Sequence, residues 1–220
     1  MNKVSIFVIL FLIAGAGFIS FKMSYSFFSD SAASTSNTFA ASTTFPTPTP
    51  SIADHLVINE VLYDTSSGQD ISGQGGSNRG EFIEIHNPTA LPVSVAGWTL
   101  SDGAELEALS GSIPAGGFLI LTGADESEFE AVWSVPSSVV YVSANGGKIG
   151  NGFDNAGGKA ILRNNINNIV DQISWGGDTA ILNPAPLDVA TGHSLEREPD
   201  GIDTDTAPDF IDRNPPTPGL

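Results

Sequence analysis

Side chains able to do acid–base or nucleophilic chemistry are unevenly supplied. Histidine occurs only at His55, His86 and His193, and none stands in the H-E-x-x-H spacing that sets two imidazoles of one helix on a zinc ion. His193 and Ser194 are adjacent and suggest a nucleophile with its base. No G-x-S-x-G elbow surrounds the serine, however, and neighbours on an extended chain point to opposite sides. No catalytic residue is therefore expected.

Carboxylates are plentiful. Asp200, Asp203, Asp205 and Asp209 offer the hard oxygens that calcium prefers, but without the D-x-D-x-D-G spacing and closing glutamate of an EF-hand loop. The expectation is a solvated C-terminal segment using aspartate as a turn former, with calcium stabilisation as the alternative. Glu60 and Glu84 fall on strand-like segments and can share a cation. Alternatively, with Asn59 and Asn87, they satisfy backbone groups at a sheet end. Trp98, Trp133 and Trp175 suit a sugar-stacking platform, yet each lies in an apolar pattern that predicts core packing.

Composition narrows the partners. Lys and Arg total 8 against 25 Asp and Glu, a formal charge of −17 with pI near 4.1. Nucleic acid is disfavoured, because phosphate backbones are bound by cationic side chains that release counterions; anionic membranes are disfavoured likewise. Divalent cations, cationic polymers and neutral glycans remain open. With no cysteine, disulfides and thiolate metal sites are excluded, and packing must stabilise the fold.

Residues 4–21, VSIFVILFLIAGAGFISF, carry no charge and lie between Lys3 and Lys22. Such a helix just spans a hydrocarbon core, so it reads as a signal peptide or as a membrane segment. Ser24 and Ser26 place small side chains at −3 and −1 of a cut between Ser26 and Phe27, as a signal peptidase requires. Residues 24–42, with Phe28-Ser29-Asp30 and Asn37-Thr38-Phe39-Ala40, resemble the processing region of camelysin-like proteins and imply export by an alternate-signal peptidase. The chain departs from that family after Ala41, so its fibre function is not implied. The chain thus divides into the segment 1–26, a Ser/Thr/Pro-rich linker 27–54 and a domain 55–220. The Pro46-Thr47-Pro48-Thr49-Pro50 run favours extended polyproline II and suits O-glycosylation.

Short strands dominate the domain. Residues 56–63, LVINEVLY, alternate imperfectly, which predicts either a bulge at Asn59-Glu60 or cover on both faces. Residues 65–80 read as an exposed, mobile loop. Further strands are predicted at 81–86, around Gly97, at 118–121 and 139–142, and in a hairpin of 160–163 with 169–175. One helix is predicted from the Asp125 cap, with Glu128 three residues on and Phe129, Val132 and Trp133 on one face until Pro136. Seven or eight short strands predict an all-β, two-sheet sandwich.

The order Ile58-Asn59-Glu60-Val61, Glu81-Phe82-Ile83-Glu84-Ile85-His86-Asn87-Pro88 and Gly97-Trp98-Thr99-Leu100 resembles the lamin tail domain. Ile113-Pro114-Ala115-Gly116, Asp171-Gln172-Ile173-Ser174-Trp175, His193-Ser194-Leu195-Glu196-Arg197 and Thr217-Pro218-Gly219 are similar to its bacterial members. The resemblance implies an immunoglobulin-like β-sandwich without shared catalytic residues. It also implies an exported structural or adhesive module, or an accessory module that targets a separate hydrolase or nuclease to its substrate. The expected partner is a cell-envelope or extracellular protein or glycan, with the signal peptidase met during export. The expected place is secreted or cell-surface, with membrane contact only through residues 4–21 if they are retained.

Overall fold

Strand β1, Val57–Leu62, has no exposed residue. Both its faces are covered, and its register against the next strand shifts between Ile58 and Glu60. The bulge and the double cover posed as alternatives by its sequence are both present. The extra residue turns Glu60 and Leu62 outward while Leu56, Ile58, Val61 and Tyr63 join the main core. A computed structural model describes residues 51–73 and 79–220. The apolar segment 4–21, the Ser26/Phe27 junction and nearly all of the linker lie outside the described residues.

Among the described residues β1 is followed by β2 (Phe82–His86), β3 (Val93–Ser94), β4 (Thr99–Ser101), β5 (Leu106–Ala108), β6 (Ser112–Ile113) and β7 (Phe118–Thr122). Then come helix α1 (Glu126–Glu130), β8 (Val140–Ser143), β9 (Lys159–Arg163), β10 (Ile169–Ser174), β11 (Ser194–Arg197) and β12 (Phe210–Arg213). The first sheet runs β12-β11-β1-β2-β7-β8 and the second β10-β9-β4-β5, with β3-β6 as a small pair. All pairings are antiparallel except β7 with β8. The result is an all-β, immunoglobulin-like sandwich with one short helix.

The strands exceed the seven or eight expected because β3, β4, β5 and β6 are only two or three residues long and β11 and β12 belong to the C-terminus. There the expectation of a solvated acidic segment holds for Asp205, which is exposed, while Asp200 and Asp203 are partly buried and Asp209 is buried. Ser194, Leu195, Glu196 and Arg197 are all buried in β11, which pairs with β1 on one side and β12 on the other. The helix is also shorter than its apolar spacing suggested. Asp125 caps it with a full capping box, but the helix ends at Glu130, and Val132 and Trp133 continue its apolar contacts. The described parts of loop 65–80, residues 65–73 and 79–80, are less detached than expected too. Ile71 is buried in the cluster beneath α1, and Arg79 pairs with Glu128 on the helix.

Two cores result. The larger lies between the sheets and centres on Trp175, which stacks on Tyr63 at 5.0 Å and meets Phe153 edge-on at 5.3 Å. Its indole N–H donates to the Asp154 carbonyl. Glycine is required opposite the ring, since a Cβ on Gly158 would stand 2.7 Å from it. The smaller core, on the outer face of the first sheet, joins Leu62, Phe82 and Ile120 to Phe129. Trp175→Ala should cost about 3–5 kcal/mol in chemical denaturation, because a fully buried ring with two aromatic neighbours leaves a cavity that strands cannot close.

Candidate functional site

Two buried polar clusters occupy opposite faces of the first sheet. On the outer face, β1 and β2 set Glu60 directly opposite Glu84, and β1 and β11 set Glu60 opposite Glu196. Three carboxyl side chains thus form a row across three adjacent strands, all of them buried. Residues 214–220 close over them. Thr217 N–H donates to Glu60 at 3.0 Å and Gly219 N–H to Glu84 at 2.5 Å. The Thr217 hydroxyl donates to Glu196 at 2.8 Å, and Arg213 pairs with Glu196 from β12. Ser194 donates to Glu60 at 2.5 Å and Asn59 to Glu84 at 3.0 Å.

On the inner face Arg197 of β11 lies between the sheets. Its guanidinium donates to Asp171 of β10 at 3.2 Å, to Asp203 and Asp209 at 3.1 Å each, and to the Ile58 and Ile202 carbonyls. The Phe210 ring lies 4.5 Å beneath it, a cation–π geometry. Asp171 also accepts the Ile58 backbone N–H at 2.6 Å, so one carboxylate of the second sheet holds both the backbone of β1 and the side chain of β11. His55 stands 3.3 Å from Asp203 on the solvent side.

The four aspartates singled out for calcium are thereby separated. Asp203 and Asp209 face a guanidinium, Asp200 accepts from Asn59 at 3.1 Å, and Asp205 is exposed. Among the described residues no three His, Asp or Glu side chains are placed to hold one metal ion. His193 and Ser194 diverge, His193 to Asp212 at 2.7 Å and Ser194 to Glu60. Asn87 binds the Leu91, Ile113 and Pro114 carbonyls, a loop-closing role. Trp175 is core, and Trp98 and Trp133 pack partly buried against the two clusters. Sequence reasoning missed Asp171 and Arg197 as a pair. Their one signal was the scarcity of cations, 8 Lys and Arg in all, since a basic residue on a buried strand is rarely without a partner.

Burial decides the protonation of these groups. It pushes Glu60 up to about 7, and Glu84, with Glu60 facing it, well above the usual carboxylate range. Burial also raises Asp171 to about 6 despite Arg197. The hydrogen bond with Asp203 raises His55 to about 9, and its reciprocal holds Asp203 down near 2. His86 is lowered by burial.

Open clefts also line the surface of the described residues. One cleft, about 290 Å³, is lined by Asp102, Asp154, Lys159 and Asp178, the last two paired at 3.0 Å. A larger groove, about 460 Å³, lies beside β12, with Pro184, Pro186, Leu187, Val189 and Phe210 in its walls. Leu187 there is 87% exposed, so the groove offers solvent-facing apolar area.

Residues 49–177 match the lamin tail domain family, more than half of the chain. No curated protein matches the sequence. An immunoglobulin-like domain of this kind is compatible with a binding or structural module, and such domains are generally non-catalytic.

Arg197→Met should destabilise the domain by about 3–5 kcal/mol, because buried acids lose their counter-charge. Denaturation of Arg197→Met/Asp171→Leu should show part of that loss recovered. A second expectation concerns pH. Glu60 and Asp171 contribute stability that is full below their ordinary values of 4.5 and 3.8 and is lost as pH rises through about 7 and 6. His55 contributes below 6.5 and loses it toward about 9, while Asp203 loses its contribution only as pH falls from 3.8 to about 2. Thermal midpoints measured across this range should therefore peak at mildly acidic pH and fall steadily toward pH 9.

Proposed function

The chain belongs to the lamin tail domain family, and we propose that it works as an exported, non-catalytic binding or structural module at the cell surface. One conjunction carries this reading. An uncharged apolar stretch, residues 4–21, precedes a domain in which Ser194 and the carboxyls of Glu60 and Glu84 are buried in contacts with other protein groups. A nucleophile held that way cannot meet a substrate. What faces outward is a frame of strands with loops and an apolar groove beside β12, the arrangement by which sandwich domains present variable contacts.

The net charge of −17 favours a neutral glycan or an envelope protein over nucleic acid as partner. Export accords with the small side chains of Ser24 and Ser26 before Phe27. N-terminal sequencing of the protein recovered outside expressing cells should begin at Phe27. Recovery only in the cytoplasmic fraction, inaccessible to protease added to intact cells, would overturn the reading.

A further inference from the structure

The carboxyl row beneath residues 214–220 is more than a structural contact. Glu60 accepts both its hydrogen bonds, from Ser194 and Thr217, through Oε1. Its Oε2 is buried without a partner, and so is Oδ1 of the adjacent Asn59. A buried carboxyl oxygen without a donor is where a carboxylic-acid proton can reside. Glu84 lies directly across the strand pair from Glu60, so full ionisation would put two desolvated like charges face to face.

The surroundings do little to offset that. From β2 come Glu84 and His86, from β11 Glu196, from β12 Arg213, and from the segment after β11 Glu198 and Asp200. Across from Glu84 on its other side stands Ile120 of β7. Arg213 is the single fixed cation among these, and Glu196 and Glu198 already hold it. The closing segment brings no titratable side chain; it supplies two backbone N–H groups, to Glu60 and Glu84, and the Thr217 hydroxyl, to Glu196.

We propose that residues 214–220 form a strap latched over the first sheet by a proton carried by the Glu60–Glu84 carboxyl pair, which opens when both carboxyls ionise. Closed, the strap needs one carboxyl neutral, since its N–H groups cannot replace the water that two carboxylates would lose. On ionisation the proton passes to solvent, the strap lifts, and water reaches Glu60, Glu84 and Glu196 along the outer face. Burial holds Glu60 at about 7 against an ordinary 4.5, which places the opening at neutral to alkaline pH. The strap carries only four amide hydrogens, because Pro215, Pro216 and Pro218 have none. Little cooperative structure is lost when it lifts.

Hydrogen–deuterium exchange of the full chain tests this, with protection factors corrected for the pH dependence of intrinsic exchange. Between pH 5.5 and 8.5 the amides of Thr217 and Gly219 should lose at least about tenfold in protection, the opening equilibrium shifting tenfold per pH unit while a raised carboxyl titrates. Amides of β1 should keep theirs. Glu60→Gln and Glu84→Gln should each hold the strap protected at pH 8.5. Equal strap protection at both pH values overturns the proposal. So does its loss together with β1, which would report global unfolding, or its persistence as a pH-dependent loss in both glutamine variants. The wild-type comparison decides alone if a variant does not fold.

Discussion

The two sheets of this sandwich are fastened by one guanidinium. Arg197 extends from β11 into the space between the layers and finds Asp171 on the opposite sheet, with both side chains 2% exposed. Apolar side chains alone hold layers together without fixing their offset, since neighbouring packings differ little in buried area. A charge-assisted pair at 3.2 Å that also engages the Ile58 backbone tolerates far less sliding. Whether it adds net stability is a separate matter, because desolvating two ions offsets much of their attraction. Its larger consequence is specificity: β10, β1 and β11 have one arrangement in which no buried charge lacks a partner.

That arrangement explains the conduct of the C-terminal residues. With Arg197 drawn inward, alternation along β11 sends Ser194 and Glu196 outward, beside Glu60 and beneath residues 214–220. The inner ion cluster and the outer carboxyl row are therefore two faces of the same strand. They differ in kind. The inner cluster is closed by cations, Arg197 and His55, and Asp203 is held ionised by them. The outer row is closed mainly by neutral donors, so its charge must be limited by proton uptake. Two of the chain's 8 Lys and Arg residues serve these clusters, Arg197 inside and Arg213 at the edge of the outer row.

The fold was largely legible because it rests on local patterns. The bulge at Asn59-Glu60, the Asp125 cap and the hairpin of β9 and β10 are each written within a few residues. Motif order added the family. The polar clusters were much less so, for a physical reason: their partners are far apart in sequence. Asp171 meets Ile58, Glu60 meets Thr217 and Glu84 meets Gly219, and nothing local about an aspartate says that it will be buried. Among the C-terminal aspartates only Asp209 is buried, with Asp200 and Asp203 partly so, although the composition matches a solvated tail. Arg197 of β11 draws in Asp203 and Asp209, and the pairing of β11 with β1 that sets it there leaves no trace in composition. Thr217-Pro218-Gly219, recognisable only as a motif in the sequence, has its explanation in two backbone N–H groups placed over two carboxyls.

The span that matches the lamin tail family ends at residue 177, before β11 begins at Ser194, and it cannot be the whole folding unit of this chain. Removing residues 178–220 would make β1 an edge strand, although both its faces are built for burial and long apolar edges invite pairing with other chains. Asp171 would stay between the layers without Arg197, and Glu60 and Glu84 would lose the N–H groups of Thr217 and Gly219. Each loss leaves a charged or polar group either buried without a partner or newly hydrated at the expense of packing. The C-terminal segment is thus the part of the domain that neutralises what the matched span buries, and the fold is complete only when β12 closes the sheet.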